Sequence, residues 1–213
     1  MYVRNHMIPA SKVITLTENH TLKDALELMS LHGHDALPVL RGTQVVGVIS
    51  KQHIYKTFFL NDFPSKSDYL EGTNVSEQMK TDYRTVNPND LLEYALQTMA
   101  KMKMQFLCII DSKGNLVGLL TKQQLLGTLG NSLGLGKRGI RLEIVLDDIE
   151  GRLATLTKLI SKAKVNIISI IMVDPSIMDL RKIVLRLDTR DKDSIVAIIE
   201  KAGFKVLDAN VQD

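Results

Sequence analysis

The chain carries Gly47-Val48-Ile49-Ser50-Lys51-Gln52-His53 and, 71 residues later, Gly118-Leu119-Leu120-Thr121-Lys122-Gln123-Gln124. Each stretch begins with apolar residues typical of a strand. A hydroxyl residue and a lysine follow, and then a polar segment typical of the start of a helix. The two stretches therefore predict the same strand-to-helix unit used twice.

The similarity extends upstream of both stretches at an offset of 70, because one copy has an extra residue in a turn. The matched pairs include Thr15 with Thr85, Leu22 with Leu92, Ala25 with Ala95, Met29 with Met99 and Val39 with Ile109. A repeat of this kind indicates one supersecondary unit whose two copies bury each other's apolar faces.

Each copy reads as β-α-β-β-α. A short strand is followed by an amphipathic helix, then by two strands joined by a turn, and then by a second helix. We expect cap signals at Thr21 with Asp24 and in the Asn-Pro-Asn-Asp run 87–90. The predicted strands are Val13–Leu16, Leu37–Leu40 and Gln44–Ile49 in the first copy, and Arg84–Val86, Phe106–Ile110 and Leu116–Leu120 in the second.

These residues resemble the CBS (cystathionine beta-synthase) domain pair. The first copy has Ala36-Leu37-Pro38-Val39 and then Gly-x-x-Ser-x-x-His, and the second has Gly-x-x-Thr-x-x-Gln, where the family has Gly-x-x-Ser/Thr-x-x-Asp. The resemblance implies repeats at residues 1–60 and 74–132, with two clefts that hold adenosine nucleotides. The nucleotide contacts it implies are Thr15, Pro38, Ser50, Lys51, His53, Thr85, Thr121, Lys122 and Gln124.

Physical chemistry gives two interpretations of Ser50 and Thr121. Backbone N–H groups at a helix start favour a phosphate, to which the hydroxyls and the neighbouring Lys51 and Lys122 add donors. Alternatively, both residues are ordinary helix caps and both lysines are solvated. His53 and Gln124 replace the family's ribose-binding Asp, so either cleft binds a different nucleotide, binds weakly, or is empty.

Five glycines between residues 127 and 139 predict a flexible boundary. After it the pattern changes to β-α-β-β-α-β, the ferredoxin-like plan. The predicted elements are a strand at 141–146, a helix around Leu153–Ile160, strands at 167–173 and 182–187, a helix ending near Gly203 and a strand at 204–207, with a loop beginning at Asp174-Pro175.

Residues 139–213 resemble an ACT domain. Asp148-Ile149-Glu150-Gly151-Arg152-Leu153 and Val165-Asn166-Ile167 approximate the family's Asp-x-Pro-Gly-x-Leu and Gly-x-Asn-Ile, with Glu150 and Lys164 as departures. The resemblance implies a small-ligand site, for an amino acid or a similar molecule, at Asp148, Gly151, Arg152, Leu153, Asn166 and Ile167. The alternative is a turn glycine at Gly151 and a strand-initiating Asn166.

Composition excludes several classes of protein. The net charge of +3 is too small for a nucleic-acid footprint, and Lys137-Arg138 is the step through which DNA binding is considered. No apolar run approaches the ~20 residues of a membrane helix, and the first residues lack a signal-peptide core. The single Cys108 fits a reducing compartment, so we expect a cytoplasmic location. His32-Gly33-His34 beside Asp35 lacks further metal ligands, and nothing predicts catalytic residues.

The sequence thus predicts an α+β protein with tandem CBS repeats and a ferredoxin-like ACT domain. We expect a non-catalytic homodimeric sensor that binds AMP, ADP or ATP and a small ligand, without a metal or a cofactor. The whole arrangement resembles acetoin utilization proteins, which implies a link to acetoin or acetate metabolism. The alternative is a structural dimerisation protein with empty sites; a DNA-binding regulator is poorly supported, and an enzyme is least supported.

Overall fold

The computed structural model of the protein describes residues 1–61, 63–174 and 179–212. The chain divides into two compact units, Met1–Leu126 and Gly127–Asp213. None of the helices in the described ranges has the length and apolar composition needed to cross a bilayer.

The first unit holds both repeats, and its last helix continues into the second unit. Its elements are β1 (Ile8–Pro9), β2 (Leu16–Thr17), α1 (Leu22–Leu31), β3 (Ala36–Arg41), β4 (Gln44–Ser50), α2 (Lys51–Leu60), α3 (Lys66–Gly72), α4 (Val75–Gln78), β5 (Thr85–Val86), α5 (Leu92–Met102), β6 (Phe106–Ile110), β7 (Leu116–Thr121) and α6 (Lys122–Ser132).

The first repeat follows the predicted order, and its helix α1 starts where the sequence places it. The Thr21 hydroxyl accepts from the Asp24 N–H at 3.1 Å, and the Asp24 carboxylate accepts from the Thr21 N–H at 2.8 Å. This reciprocal capping box satisfies two N–H groups that the helix leaves without partners. The strand predicted at Val13 begins only at Leu16, because the Val13 N–H instead closes the 3₁₀ turn Ala10–Lys12.

The second repeat also has the predicted order, but the run 87–90 does not cap its first helix. Leu91 occupies the N-cap position of α5 and makes no side-chain cap hydrogen bond. The Asp90 carboxylate accepts from the Asn87 N–H at 2.8 Å and closes its own turn. The cap prediction for this helix is therefore wrong, since the acidic side chain satisfies an upstream donor.

Two connecting segments cross between the repeats. Strand β1 pairs antiparallel with β7 of the second repeat, so the sheets run β2-β3-β4 and β1-β7-β6-β5. In return, Lys80 exchanges two backbone hydrogen bonds with Val48 in β4, of 3.0 and 2.8 Å. Val3 belongs to the hydrophobic core of the second repeat. Each repeat is therefore completed by residues that precede the other.

The two repeats bury apolar surface against each other, as the repeat predicts. Phe106, Cys108, Leu116 and Leu119 form a buried cluster against residues of the first repeat, and separate cores fill each repeat. The hairpin turns of the two repeats are also hydrogen-bonded to each other, since the Leu116 N–H donates to the Thr43 carbonyl at 2.8 Å.

The glycine-rich stretch 127–139 is only partly a connection. Gly127 and Gly130 lie inside α6, which ends at Ser132. Gly134, Gly136 and Gly139 have positive φ values of 71°, 74° and 142° and form the turns that lead into the next strand. The prediction of a flexible boundary is wrong for residues 127–132, which are helical, because a helix tolerates isolated glycines at a cost of about 1 kcal/mol each.

The second unit shows the predicted β-α-β-β-α-β order. One antiparallel sheet has the strand order β11-β8-β10-β9, and the apolar residues of α7 and α8 cover one face of it. Asp174 is the last described residue before the predicted loop, and Pro175 lies outside the described residues. The elements are β8 (Gly139–Asp147), α7 (Arg152–Lys162), β9 (Ile167–Val173), β10 (Leu180–Leu187), α8 (Lys192–Lys201) and β11 (Lys205–Gln212).

Candidate functional site

The larger cleft of the first unit lies between the two repeats and has a volume of about 530 Å³. Apolar side chains from both repeats form much of its wall, and both repeats also contribute polar groups. Volume and composition are both typical of a small-molecule site. Its lining includes Ile8, Lys12, Val13, Ile14, His34, Asp35, Pro38, Gln105, Phe106, Leu119, Thr121, Lys122 and Gln124.

Thr121 and Gln124 lie together in this cleft, as the motif predicts. The Thr121 hydroxyl oxygen accepts from the Gln124 N–H at 3.1 Å, and Gln124 Oε1 accepts from the Thr121 N–H at 3.0 Å and from its hydroxyl at 3.2 Å. The amide oxygen is therefore used in the cap, and the Gln124 NH₂ group is the half of the amide left to face a ligand.

The helix starts offer fewer N–H donors to an anion than the sequence predicts. The Lys51 N–H donates to the Asp35 carbonyl at 2.9 Å, and the Lys122 N–H donates to the Gln105 carbonyl at 2.9 Å. The third N–H of each helix donates to the cap hydroxyl of Ser50 or Thr121. Any anion bound there depends on side chains more than on the backbone.

The smaller cleft, of about 320 Å³, runs along α2, from Ser50 before the helix to Asn61 after it. Burial, together with Lys80 and Lys56, lowers the pKa of His53 from its ordinary value of 6.5. The Ser50 hydroxyl oxygen accepts from the His53 N–H at 3.2 Å. The full lining is Ser50, Gln52, His53, Lys56, Thr57, Leu60, Asn61 and Lys80.

The predicted nucleotide contacts do not all reach a cleft. Pro38, Thr121, Lys122 and Gln124 share the larger cleft, and Ser50 and His53 share the smaller one. Among the described lining residues of these two clefts, Thr15, Lys51 and Thr85 are missing. Lys51 instead pairs with Asp35 at 3.4 Å, and Thr85 lies in β5 beside Cys108. The predicted contacts that reach a cleft thus fall into two groups, one at each copy of the motif.

Two basic residues of the smaller cleft were missed by the sequence interpretation. Lys56 follows His53 by three residues, and this helical spacing places both side chains on one face of α2, so the signal was available. Lys80 had no such signal, because it reaches the cleft through the crossed backbone pairing with Val48.

In the second unit, Asp148, Gly151 and Arg152 lie in the turn between β8 and α7. Asp148 pairs with Arg181 at 2.8 Å, and Arg152 pairs with Asp147 at 3.3 Å while its guanidinium covers the Phe204 ring at 4.3 Å. Gly151 has φ +84°, and a Cβ there would meet no atom within 4 Å. The left-handed backbone thus favours glycine here, as the turn-glycine alternative predicts.

The remaining predicted residues of this site do not join that turn. Asn166 precedes β9 at the opposite end of the sheet, since Ile167 pairs with Leu187 whereas Asp147 pairs with Leu180. Leu153 and Ile167 pack against the hydrophobic core. The six residues therefore do not form one site within one chain, because the eleven residues of α7 separate the two groups.

Cys108 is buried, and the pair His32 and His34 stands at the end of α1. Burial raises the pKa of the Cys108 thiol to about 12, which makes the thiol unreactive. Gly33 has φ +67° and ends α1 as a C′ residue, as predicted. Within residues 1–61, 63–174 and 179–212, no three His, Cys, Asp or Glu side chains are grouped as a metal site.

Comparison with known proteins agrees with the duplicated motif. The CBS domain profile matches residues 3–59 and 74–131, which together make up more than half of the chain. The chain belongs to the CBS domain family. The two clefts described above both lie in the CBS pair. The assignment of the second unit as an ACT domain remains a prediction.

Relatives of the CBS pair occur in proteins of different kinds. The CBS domain-containing protein YhcV of Bacillus subtilis is 32% identical over 111 residues, which are 52% of this chain and 74% of YhcV. An inosine-5'-monophosphate dehydrogenase of Korarchaeum cryptofilum is 30% identical over 109 residues, 51% of this chain but only 21% of that enzyme. The chain thus spans about a fifth of the dehydrogenase that it matches.

Solved structures share the fold of the CBS pair. A putative acetoin utilization protein (AcuB) from Vibrio cholerae is 25% identical with a TM-score of 0.54, over 63% of this chain and 94% of that one. CBSX2 of Arabidopsis thaliana, solved in complex with AMP, is 24% identical with a TM-score of 0.53, over 60% of this chain and 95% of that one.

Proposed function

We propose that this chain is a non-catalytic regulatory protein whose CBS pair binds an adenine nucleotide, AMP, ADP or ATP, in the larger cleft. The observation that carries this proposal is the convergence of Pro38 from one repeat with Thr121 and Gln124 from the other in a cleft of about 530 Å³. The CBS motif thus meets an apolar wall from its sister repeat.

The chemistry of the cleft suits each part of a nucleotide. Pro38, Phe106 and Leu119 are buried apolar residues, and such surfaces favour a flat base. The Gln124 NH₂ group can donate to ribose or phosphate oxygens, and the Thr121 oxygen, whose proton goes to Gln124, can accept from a ribose hydroxyl. Lys12 and Lys122 add two cations to the lining, which favour the negative charge of a phosphate.

The second unit, in this proposal, is an ACT domain that binds an amino acid or a similar small ligand. Its strand order and its Asp148–Leu153 turn support a ferredoxin-like regulatory module. We further propose a homodimer, since the edge strands β9 and β11 carry the exposed apolar residues Met172, Leu207 and Val211. A cytoplasmic location is part of the same proposal. The likeness to AcuB supports a link to acetoin or acetate metabolism.

Calorimetric titration of AMP tests the nucleotide proposal, with a matched pair of variants. Thr121→Ala and Ser50→Ala each remove one helix cap, and we expect each to lower the free energy of unfolding by about 1 kcal/mol. Only Thr121→Ala removes a group from the larger cleft. We expect it to weaken AMP binding about ten- to a hundredfold, whereas Ser50→Ala leaves the affinity unchanged. Equal losses in both variants, or no heat with any adenine nucleotide, would contradict the proposal.

A second candidate is a structural dimerisation protein with empty clefts. The observation in its favour is the mutual hydrogen bonding of Thr121 and Gln124, which satisfies the motif without any ligand. The two candidates differ in their response to nucleotide. A sensor gains thermal stability as AMP concentration rises, whereas a scaffold shows no shift in Tm.

A further inference from the structure

The smaller cleft differs in chemistry from the larger one. Only one of its lining residues, Leu60, is a large apolar side chain, whereas apolar residues from both repeats line the larger cleft. Its volume of about 320 Å³ lies at the lower end of the range for ligand sites, about 300–1,000 Å³. Among the described lining residues, Leu60 is the one large apolar side chain that a base could contact.

Its charged groups are all basic. His53 and Lys56 come from α2, and Lys80 comes from the segment after α4. The described part of the chain contributes no carboxylate to this lining. Lys51, the next cation along α2, pairs with Asp35 instead. Three basic groups from two elements thus face one cavity, and none of the described lining residues carries a negative charge.

The backbone holds this arrangement in place. Lys80 and Val48 exchange hydrogen bonds of 3.0 and 2.8 Å, which fix the segment that carries the Lys80 side chain. His53 is held at the first turn of α2 because its N–H donates to Ser50. The basic groups are therefore positioned by ordered backbone, before any ligand arrives.

We propose that the smaller cleft binds a phosphate-rich anion through Ser50, His53, Lys56 and Lys80, without a nucleoside. The inference rests on the proposed function only in that the nucleotide is assigned to the other cleft. The Ser50 oxygen accepts from the His53 N–H, which leaves the hydroxyl proton to donate to a phosphate oxygen. The two ammonium groups supply charge-assisted hydrogen bonds.

Residue 53 is the position where this chain departs from the family's Asp, and the departure favours an anion. A carboxylate there would lie near Lys56 and Lys80, the cations that act on His53, and would cancel part of their charge. Imidazole adds no negative charge and becomes a second donor when protonated. Anion binding therefore raises the pKa of His53 and takes up a proton, so that affinity rises as the pH falls.

Calorimetric titration of the full chain with pyrophosphate tests the proposal. We expect saturable binding that weakens with added salt, and a loss of about tenfold in Lys56→Met and in Lys80→Met. Both side chains are exposed, so these variants should fold. His53→Asp should weaken pyrophosphate binding at least as much. The matched control is Lys122→Met, which removes a cation from the larger cleft and should leave pyrophosphate binding unchanged.

AMP titrations of the same variants separate the two proposals. Loss of pyrophosphate binding with retained AMP binding in Lys56→Met and Lys80→Met supports two clefts with different ligands. Pyrophosphate binding that persists in both lysine variants, or that is abolished by saturating AMP, overturns the inference while the nucleotide proposal stands. Pyrophosphate binding without any AMP binding has the opposite meaning: the anion site stands, and the proposed function fails.

Discussion

Thr121 and Gln124 close a reciprocal pair of hydrogen bonds at the start of α6, of 3.1 Å to the threonine hydroxyl oxygen and 3.0 Å to the glutamine Oε1. Thr21 and Asp24 make the same arrangement at the start of α1, with a carboxylate in place of the amide. The helix cap can therefore form with either an amide or a carboxylate side chain three residues after the threonine. What changes between them is the group left to face a ligand.

The first prediction follows for Gln124→Asp. We expect the carboxylate to close the same cap as Asp24, so that the free energy of unfolding changes by less than about 0.5 kcal/mol. Its second oxygen supplies the acceptor that the CBS family uses for ribose, and AMP should bind about tenfold more tightly by calorimetry. Gln124→Ala is the control, because it removes the cap acceptor and adds no acceptor for the ribose. Weaker AMP binding in the Asp variant would count against this geometry.

The second prediction concerns Gly118, where β1 crosses the second repeat. A Cβ at Gly118 would lie 2.7 Å from the Ile8 carbonyl oxygen, which is backbone and cannot turn aside. We expect Gly118→Ala to lower the free energy of unfolding in urea by about 1–3 kcal/mol. Gly47→Ala should cost less, since its nearest atom, at 2.6 Å, is the Sδ of the flexible Met79 side chain.

Gly127→Ala is the internal control for that experiment. Gly127 is exposed within α6, and a Cβ there would meet no atom within 4 Å. The same substitution should therefore stabilise the protein by up to about 1 kcal/mol through helix propensity alone. If all three alanine variants had equal stability, the close approach of the two crossed segments would not exist in solution.

The third prediction concerns acid sensitivity at His53. Burial and then the charges of Lys80 and Lys56 lower its pKa below 6.5 in the folded chain. As the pH falls, the unfolded chain takes up this proton first, so folding stability is complete above pH 6.5 and declines below it. We expect His53→Gln to lose less stability than the wild type when urea unfolding is compared above and below pH 6.5. A larger loss of folding stability in His53→Gln than in the wild type would contradict a lowered pKa of His53.

The fourth prediction concerns Gly151 at the start of α7. Because its φ of +84° is left-handed, we expect Gly151→Ala to cost about 1–2 kcal/mol even though the space around it is empty. Gly151→Asn should cost less, since asparagine tolerates this conformation better than alanine. Thermal unfolding of the two variants measures the difference. Equal Tm values for wild type and Gly151→Ala would show that the turn adopts another conformation.

Local signals in the sequence predicted local structure well. The cap at Thr21, the turn glycine Gly33 and the hydroxyl residues Ser50 and Thr121 each act within four residues of chain, so their neighbours reveal them. The exception is the run 87–90, where Asp90 satisfies an upstream donor instead of the helix. Competing local hydrogen bonds of equal quality cannot be ranked from the sequence.

Residues that meet through tertiary pairing were not predictable in the same way. The recurrence of Gly47 at Gly118 was visible, but its reason is a segment from elsewhere in the chain that approaches each glycine, through the Met79 side chain at Gly47 and the Ile8 carbonyl at Gly118. Lys80 joins Ser50 and His53 only because its segment crosses to β4. Asn166 and Gly151 are close in sequence but lie at opposite ends of a sheet, because a full helix separates them. Motif position alone therefore overestimates which side chains converge.

The crossed pairing of Ile8 with Leu119 also constrains how the protein is made. During synthesis the residues around Val3 and Ile8 leave the ribosome before β7, and their docking surface is completed only when β7 has been translated. In a truncated chain that ends before β7, the segment around Val3 and Ile8 therefore has no strand to pair with. We therefore expect the two repeats to fold together. The late closure of this long loop favours one cooperative folding step over separate folding of each repeat.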